Sequence, residues 1–105
     1  MTKSKIHPDQ KYIDGIAAND SAIIHAIYKN YVPKVVFYIT KNSGDKDQAQ
    51  DVVQEIMILL FNQAKANTLQ LTCPFDAYFF LLCKRKWLNE LKKTSNKEVT
   101  INEDS

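Results

Sequence analysis

DKDQAQDVVQEIMILLFNQA, Asp45 to Ala64, is the stretch on which the fold turns. Ala49, Val52, Val53, Ile56, Leu59 and Leu60 recur at three- and four-residue spacing, the period of an α-helix with one buried side. Asp45 and Gln48 have the spacing of a capping box, in which each side chain satisfies a free backbone amide of the first turn. Asn42, Ser43 and Gly44 form a stop just ahead of it, and the pattern fades near Asn67. A helix beginning at Asp45 is therefore predicted.

The same period extends outward on both sides. Upstream, Ile23, Ile24, Ile27, Tyr28, Tyr31, Val35 and Ile39 mark a helix over about Ser21 to Asn42. Pro33 should kink or split it, because proline lacks the amide donor and clashes with the preceding turn. A shorter helix, about Asp9 to Ala18, carries Tyr12, Ile13 and Ile16 on one face, with Asn19 and Asp20 as stop and start signals. Downstream, the polar run Lys65 to Thr72 leads to Pro74, which suits a first helical turn. Asp76 suits the positive end of that helix, and Lys92 and Lys93 its negative end. Phe75, Tyr78, Phe79 and Leu82 should pack inward, with Leu88 and Leu91 continuing the stripe. The expected architecture is all-α: a compact bundle of three long helices plus a short N-terminal one, one domain over 9–93. Residues 1–8 read as a flexible tail, and Thr94 to Ser105 as a polar, flexible remainder.

Composition excludes several classes. Of 105 residues, 45% are hydrophobic, too many for a disordered chain, and two glycines with three prolines leave few turns for a many-stranded fold. Cys73 and Cys83, with His7 and His25 on separate segments, match no zinc spacing. They read as thiols in or near the core of a reduced cytosolic protein. No glycine-rich phosphate loop and no catalytic constellation is visible, so neither an enzyme nor a cofactor or metal site is expected. The first ten residues lack the apolar stretch of a signal peptide, and no segment has the length of a membrane span. A cytoplasmic protein without membrane insertion is expected.

Two stretches stand out. In DVVQEIMILLF, Asp51, Gln54 and Glu55 fall at i, i+3 and i+4, on one polar helix face. In CKRKWLNELKK, five cations (Lys84, Arg85, Lys86, Lys92 and Lys93) stand against Glu90, a local charge of +4. Asp45 to Ala64 carries −3, so a chain of net charge +2 is polarised into an acidic and a basic helix. Trp87 and Asn89 among those cations suit a nucleic-acid surface, where cations pair with phosphates and an aromatic ring stacks on an unpaired base. The plain readings are a solvated helix face, a solvated helix end, and a Trp87 packed in the core.

The order of elements and the wording of these stretches resemble region 2 of sigma-70-type factors, in particular the extracytoplasmic-function group. The segment from Tyr12 to Ile39 is similar to that group's opening, DVVQEIMILLF to its polymerase-binding helix, and AYFFLLCKRKWLNELKK, from Ala77, to its promoter −10 helix. The resemblance implies that Asp51, Gln54 and Glu55, with Ile58 and Phe61, contact the clamp helices of the largest subunit of core RNA polymerase. It implies that Lys84, Arg85, Lys86, Trp87, Asn89, Lys92 and Lys93, together with Lys65 and Asn67, face DNA. The loop Lys65 to Cys73 would hold a flipped base of the non-template strand. Lys84 and Lys92 stand where the family has arginines. Arg85 stands where it usually has Asn, Asn89 where it has Asp, and Met57 where it has Phe. Residues 94–105 resemble the start of an interdomain linker, and nothing after Lys93 supplies the region 4 domain of a whole factor. An anti-sigma factor is a further partner that the resemblance implies. The competing reading is a helical protein-interaction module, a decoy or adaptor that binds no DNA.

Overall fold

The computed structural model of the chain describes residues 6–104, with side chains to Lys93. Five helices follow one another, α1 (Gln10–Ala17), α2 (Ser21–Asn30), α3 (Val32–Thr40), α4 (Lys46–Lys65) and α5 (Phe75–Asp104), and no strand occurs among the described residues. The fold is all-α, as expected. Pro33 splits the second predicted helix into α2 and α3, and the proline sits in the first turn of α3, where its missing amide is not needed.

Local chemistry fixes each joint. Asn19 is left-handed at φ 56°, so that Asp20 N–H reaches the Gly15 carbonyl at 2.8 Å. The Asp20 carboxylate then accepts from Ala22 and Ile23 and starts α2. The predicted capping box is formed: Asp45 accepts from Gln48 N–H at 2.8 Å, and Gln48 Oε1 accepts from Asp45 N–H at 3.0 Å. At the end of α4, Asn67 (φ 60°) lets Asn67 N–H meet the Ala64 carbonyl and Thr68 N–H the Gln63 carbonyl, a Schellman closure.

The core is one cluster drawn from every helix. Ile13, Ile27, Val35, Ile39, Val53, Leu60, Phe75 and Phe79 are all but inaccessible. Tyr12, Tyr31, Phe75 and Phe79 form one aromatic cluster with 5.1–5.6 Å between ring centroids; Phe75 stacks on Tyr12 and Phe79, and Tyr31 meets Tyr12 edge-on. The Tyr31 hydroxyl donates to that of Tyr12 at 3.2 Å. That bond, with burial, pushes the Tyr31 phenol up to about 12. Two expected inward residues face out: Leu59, 39% exposed, falls at the edge of the α4 apolar arc, and Leu88, 45% exposed, lies about 100° round α5 from the buried Trp87. Helix α5 does not stop near Lys93 as expected but runs on to Asp104, so Lys92 and Lys93 lie within it and not at its negative end. Of the expected tail 1–8, residues 1–5 lie outside the described residues, whereas His7 N–H bonds the Leu71 carbonyl at 2.8 Å. Cys83 is buried and Cys73 half-buried, both as free thiols.

Candidate functional site

Two surfaces come together where α4 and α5 run side by side. On α4, Asp51, Gln54, Ile58 and Phe61 are exposed and lie three or four residues apart, so one strip of the helix presents them all. Ile58 is 55% exposed and Phe61 38%, unusual for side chains of that size on a helix that buries Val52, Val53, Ile56 and Leu60. Lys65 Nζ lies 5.9 Å from the Phe61 ring centroid at the end of the strip. Among the described residues Asp51 has no ion-pair partner.

Glu55 departs from this strip. Its Oε1 lies 2.8 Å from Lys86 Nζ of α5, and the same ammonium lies 3.2 Å from Glu90 Oε2. Hydrogen bonds to Glu55 and then Glu90 hold the Lys86 ammonium above its ordinary range. Lys86 therefore clips α5 to α4 before it can contact anything else, and Glu55 is engaged from its own chain.

The basic stretch of α5, Lys84 to Lys93, divides in the same way. Lys84, Arg85, Asn89, Lys92 and Lys93 are exposed. A cleft of about 220 Å³ lies among Lys86, Asn89, Glu90, Lys92 and Lys93. Lys84 Nζ stands 5.9 Å from the centre of the Tyr38 ring. Trp87 corrects the stacking expectation: it is 4% exposed, and its indole Nε1–H donates to the Asn42 carbonyl at 2.9 Å. With its one donor taken and its faces in the core, this ring offers no platform to a base.

The loop after α4 exposes Lys65, Asn67, Thr68, Gln70 and Thr72 and buries Leu71. Asn67 has a structural duty as the left-handed residue of the Schellman closure, and its side chain remains on the surface. Three residues that the helical period did not single out hold this loop. Gln10 Oε1 accepts from Leu71 N–H at 2.6 Å, and its Nε2 donates to the Leu69 carbonyl at 3.2 Å. Asp9 Oδ2 accepts from Phe75 N–H at 2.9 Å and caps α5. His7 Nδ1 in turn accepts from Asp9 N–H at 2.9 Å. No sequence signal marks them, because their partners lie some sixty positions away.

An exposed carboxylate–amide–apolar strip on α4 thus lies beside a basic edge on α5. The family model for sigma-70 region 2 matches residues 27–97, from within α2 well into α5. The match covers more than half of the 105 residues, and the chain belongs to the sigma-70 region 2 family. That is a family of sigma factors, whose part is RNA polymerase binding and promoter recognition, and it is not a family of enzymes. No curated protein and no solved structure matches the chain. Among the described residues no helix is long and apolar enough to cross a membrane.

Proposed function

We propose that this chain is the polymerase-binding, −10-recognising domain of an extracytoplasmic-function sigma factor. The observation that carries the reading is the α4 strip, where exposed Asp51 and Gln54 sit beside exposed Ile58 and Phe61. Such a strip suits a helical partner with arginines to meet the carboxylate and an apolar ridge to cover the rest. The clamp helices of the polymerase largest subunit are that partner. Glu55 contributes less than Asp51 and Gln54, since Lys86 already engages it.

The non-template strand of the −10 element lies along Lys84, Arg85, Asn89, Lys92 and Lys93, with Lys65 and Asn67 at the loop. A base flipped out of the melted duplex enters the loop Lys65 to Cys73, which exposes polar side chains at alternating positions near its end. The exposed cations in the middle of α5 favour this over an adaptor that binds protein alone, which has no use for them. An anti-sigma factor competing for the α4 strip and a cytoplasmic location belong to the same reading.

The test is a titration of core polymerase with the whole chain and with Asp51→Ala/Gln54→Ala. Hydrogen bonds to charged groups contribute ~1.5–3 kcal/mol each, so the double variant, which loses two, should bind at least about a hundredfold more weakly. Its helicity should be unchanged, because both side chains are exposed. Equal affinity would remove the strip from the interface.

A further inference from the structure

Beyond Lys65, the last residue of α4, the loop to Cys73 has no regular structure of its own, yet its backbone is held at defined points by the segment His7–Gln10. The carboxamide of Gln10 occupies the place of a neighbouring strand: it accepts from Leu71 N–H and donates to the Leu69 carbonyl. His7 N–H takes the Leu71 carbonyl, so both backbone polar groups of Leu71 are satisfied by this one segment. Leu71 itself is 1% exposed and pins the middle of the loop to the core. The exposed residues on either side, Gln70 and Thr72, are thereby presented at fixed positions. The first amide of α5, next to the loop's end, is fixed by Asp9.

We propose that Gln10 is a positioning residue for base selection: by clamping Leu69 and Leu71 it sets the shape of the loop that receives the flipped base, without touching that base. The inference rests on the reading of this loop as the base-holding element. Its physical ground is that a pocket discriminates only if its groups are already in place. A loop that must be ordered during binding spends part of its contact energy on ordering, and mismatched bases then fare nearly as well as matched ones. Gln10 lies on α1, which bears none of the residues assigned to polymerase or to phosphates. Its removal should therefore alter selection and leave the other two contacts alone.

The experiment uses the whole chain bound to core polymerase, and a library of single-stranded oligonucleotides carrying every base at each central position. Base selectivity is read as the affinity ratio between the best and worst base. Gln10→Ala should lower that ratio about fivefold, the effect of one ordinary hydrogen bond. Affinity for core polymerase and the salt dependence of strand binding should not change. Amide hydrogen exchange at Leu71 should accelerate roughly tenfold, since its acceptor is gone. Gln10→Glu, which keeps the acceptor for Leu71 N–H and loses the donor to Leu69, should fall between the two. A selectivity that survives Gln10→Ala while Leu71 exchange rises would overturn this inference alone: the clamp would then be structural only. A native chain with no base selectivity at all refutes the loop reading, and this inference with it.

Discussion

Trp87 is the chain's single tryptophan, so its assignment to the core rather than to a DNA surface can be tested without labelling. In Trp87→Phe an aromatic ring still fills most of the site, but two things are lost. The Asn42 carbonyl loses its indole donor, and leaving a buried acceptor unpaired costs about 1–3 kcal/mol. The smaller ring leaves a void beside Gly44 and Ile39, equivalent to one or two methylenes, for about 1–2 kcal/mol more. The sum is about 2–5 kcal/mol, a large fraction of the stability of a small domain. At about 5 °C per kcal/mol the melting temperature should fall by roughly 10–25 °C. Urea unfolding followed by far-ultraviolet circular dichroism measures the loss directly. In the native chain the indole should emit as a buried ring, resist acrylamide, and keep its emission when a −10 single strand is added. A destabilisation below about 1 kcal/mol, or quenching like that of a free indole, would refute the core assignment.

Cys83 should be silent to a thiol–disulfide exchange reagent in the folded chain while the half-buried Cys73 reacts, and both should react in urea. Burial pushes the Cys83 thiol up to about 12 from an ordinary 9.0. Stability linked to this group is thus complete below about pH 9 and is lost as pH rises from there towards 12, since the unfolded chain ionises first. The melting temperature should decline over that window, less steeply in Cys83→Ala. Gly44→Ala should destabilise by about 1–3 kcal/mol in the same urea assay. A Cβ there meets Ile39 Cγ2 and stands 2.7 Å from Trp87 Cζ2, and a packed ring cannot step aside; an unchanged midpoint would mean the turn yields freely. For strand binding, Lys84→Ala and Lys92→Ala should each flatten the logarithmic salt slope by about 0.7. Lys86→Ala should flatten it less, because two carboxylates already neutralise that ammonium; equal slopes for all three would show that the Glu55 clip opens on DNA.

The helices were legible because their signals are local. The capping box of Asp45 and Gln48, the break at Pro33 and the left-handed Asn19 each act within a few residues. The acidic strip was legible in part. A step of about 100° per residue puts Glu55 at the border of the face shared by Asp51 and Gln54, and periodicity cannot say what lies across that border. What lies there is Lys86. Trp87 was ambiguous for a similar reason: the cations around it belong to the exposed side of α5, while its own partner is a carbonyl 45 positions away. Leu59 and Leu88 read as parts of the apolar stripes by spacing and lie on the surface, because a run of leucines does not mark where a stripe's buried arc ends. The loop clamp was wholly illegible, since a glutamine that substitutes for a strand looks like any polar residue at a helix start.

The clamp also has a consequence for the order of folding. Gln10 and Asp9 bond to groups 59, 61 and 66 positions further along. Contacts of that span repay their loop-closure entropy only after the intervening chain has condensed. At synthesis rates of about 5–20 residues per second, Phe75 follows Asp9 from the ribosome by roughly 3–13 s. Helices α1 to α4 have time to gather before the loop has anything to lean on, and the loop takes its shape last. Gln10→Ala should then leave the refolding rate almost unchanged and speed unfolding, a φ-value near zero at the residue that fixes the last-formed part of the domain.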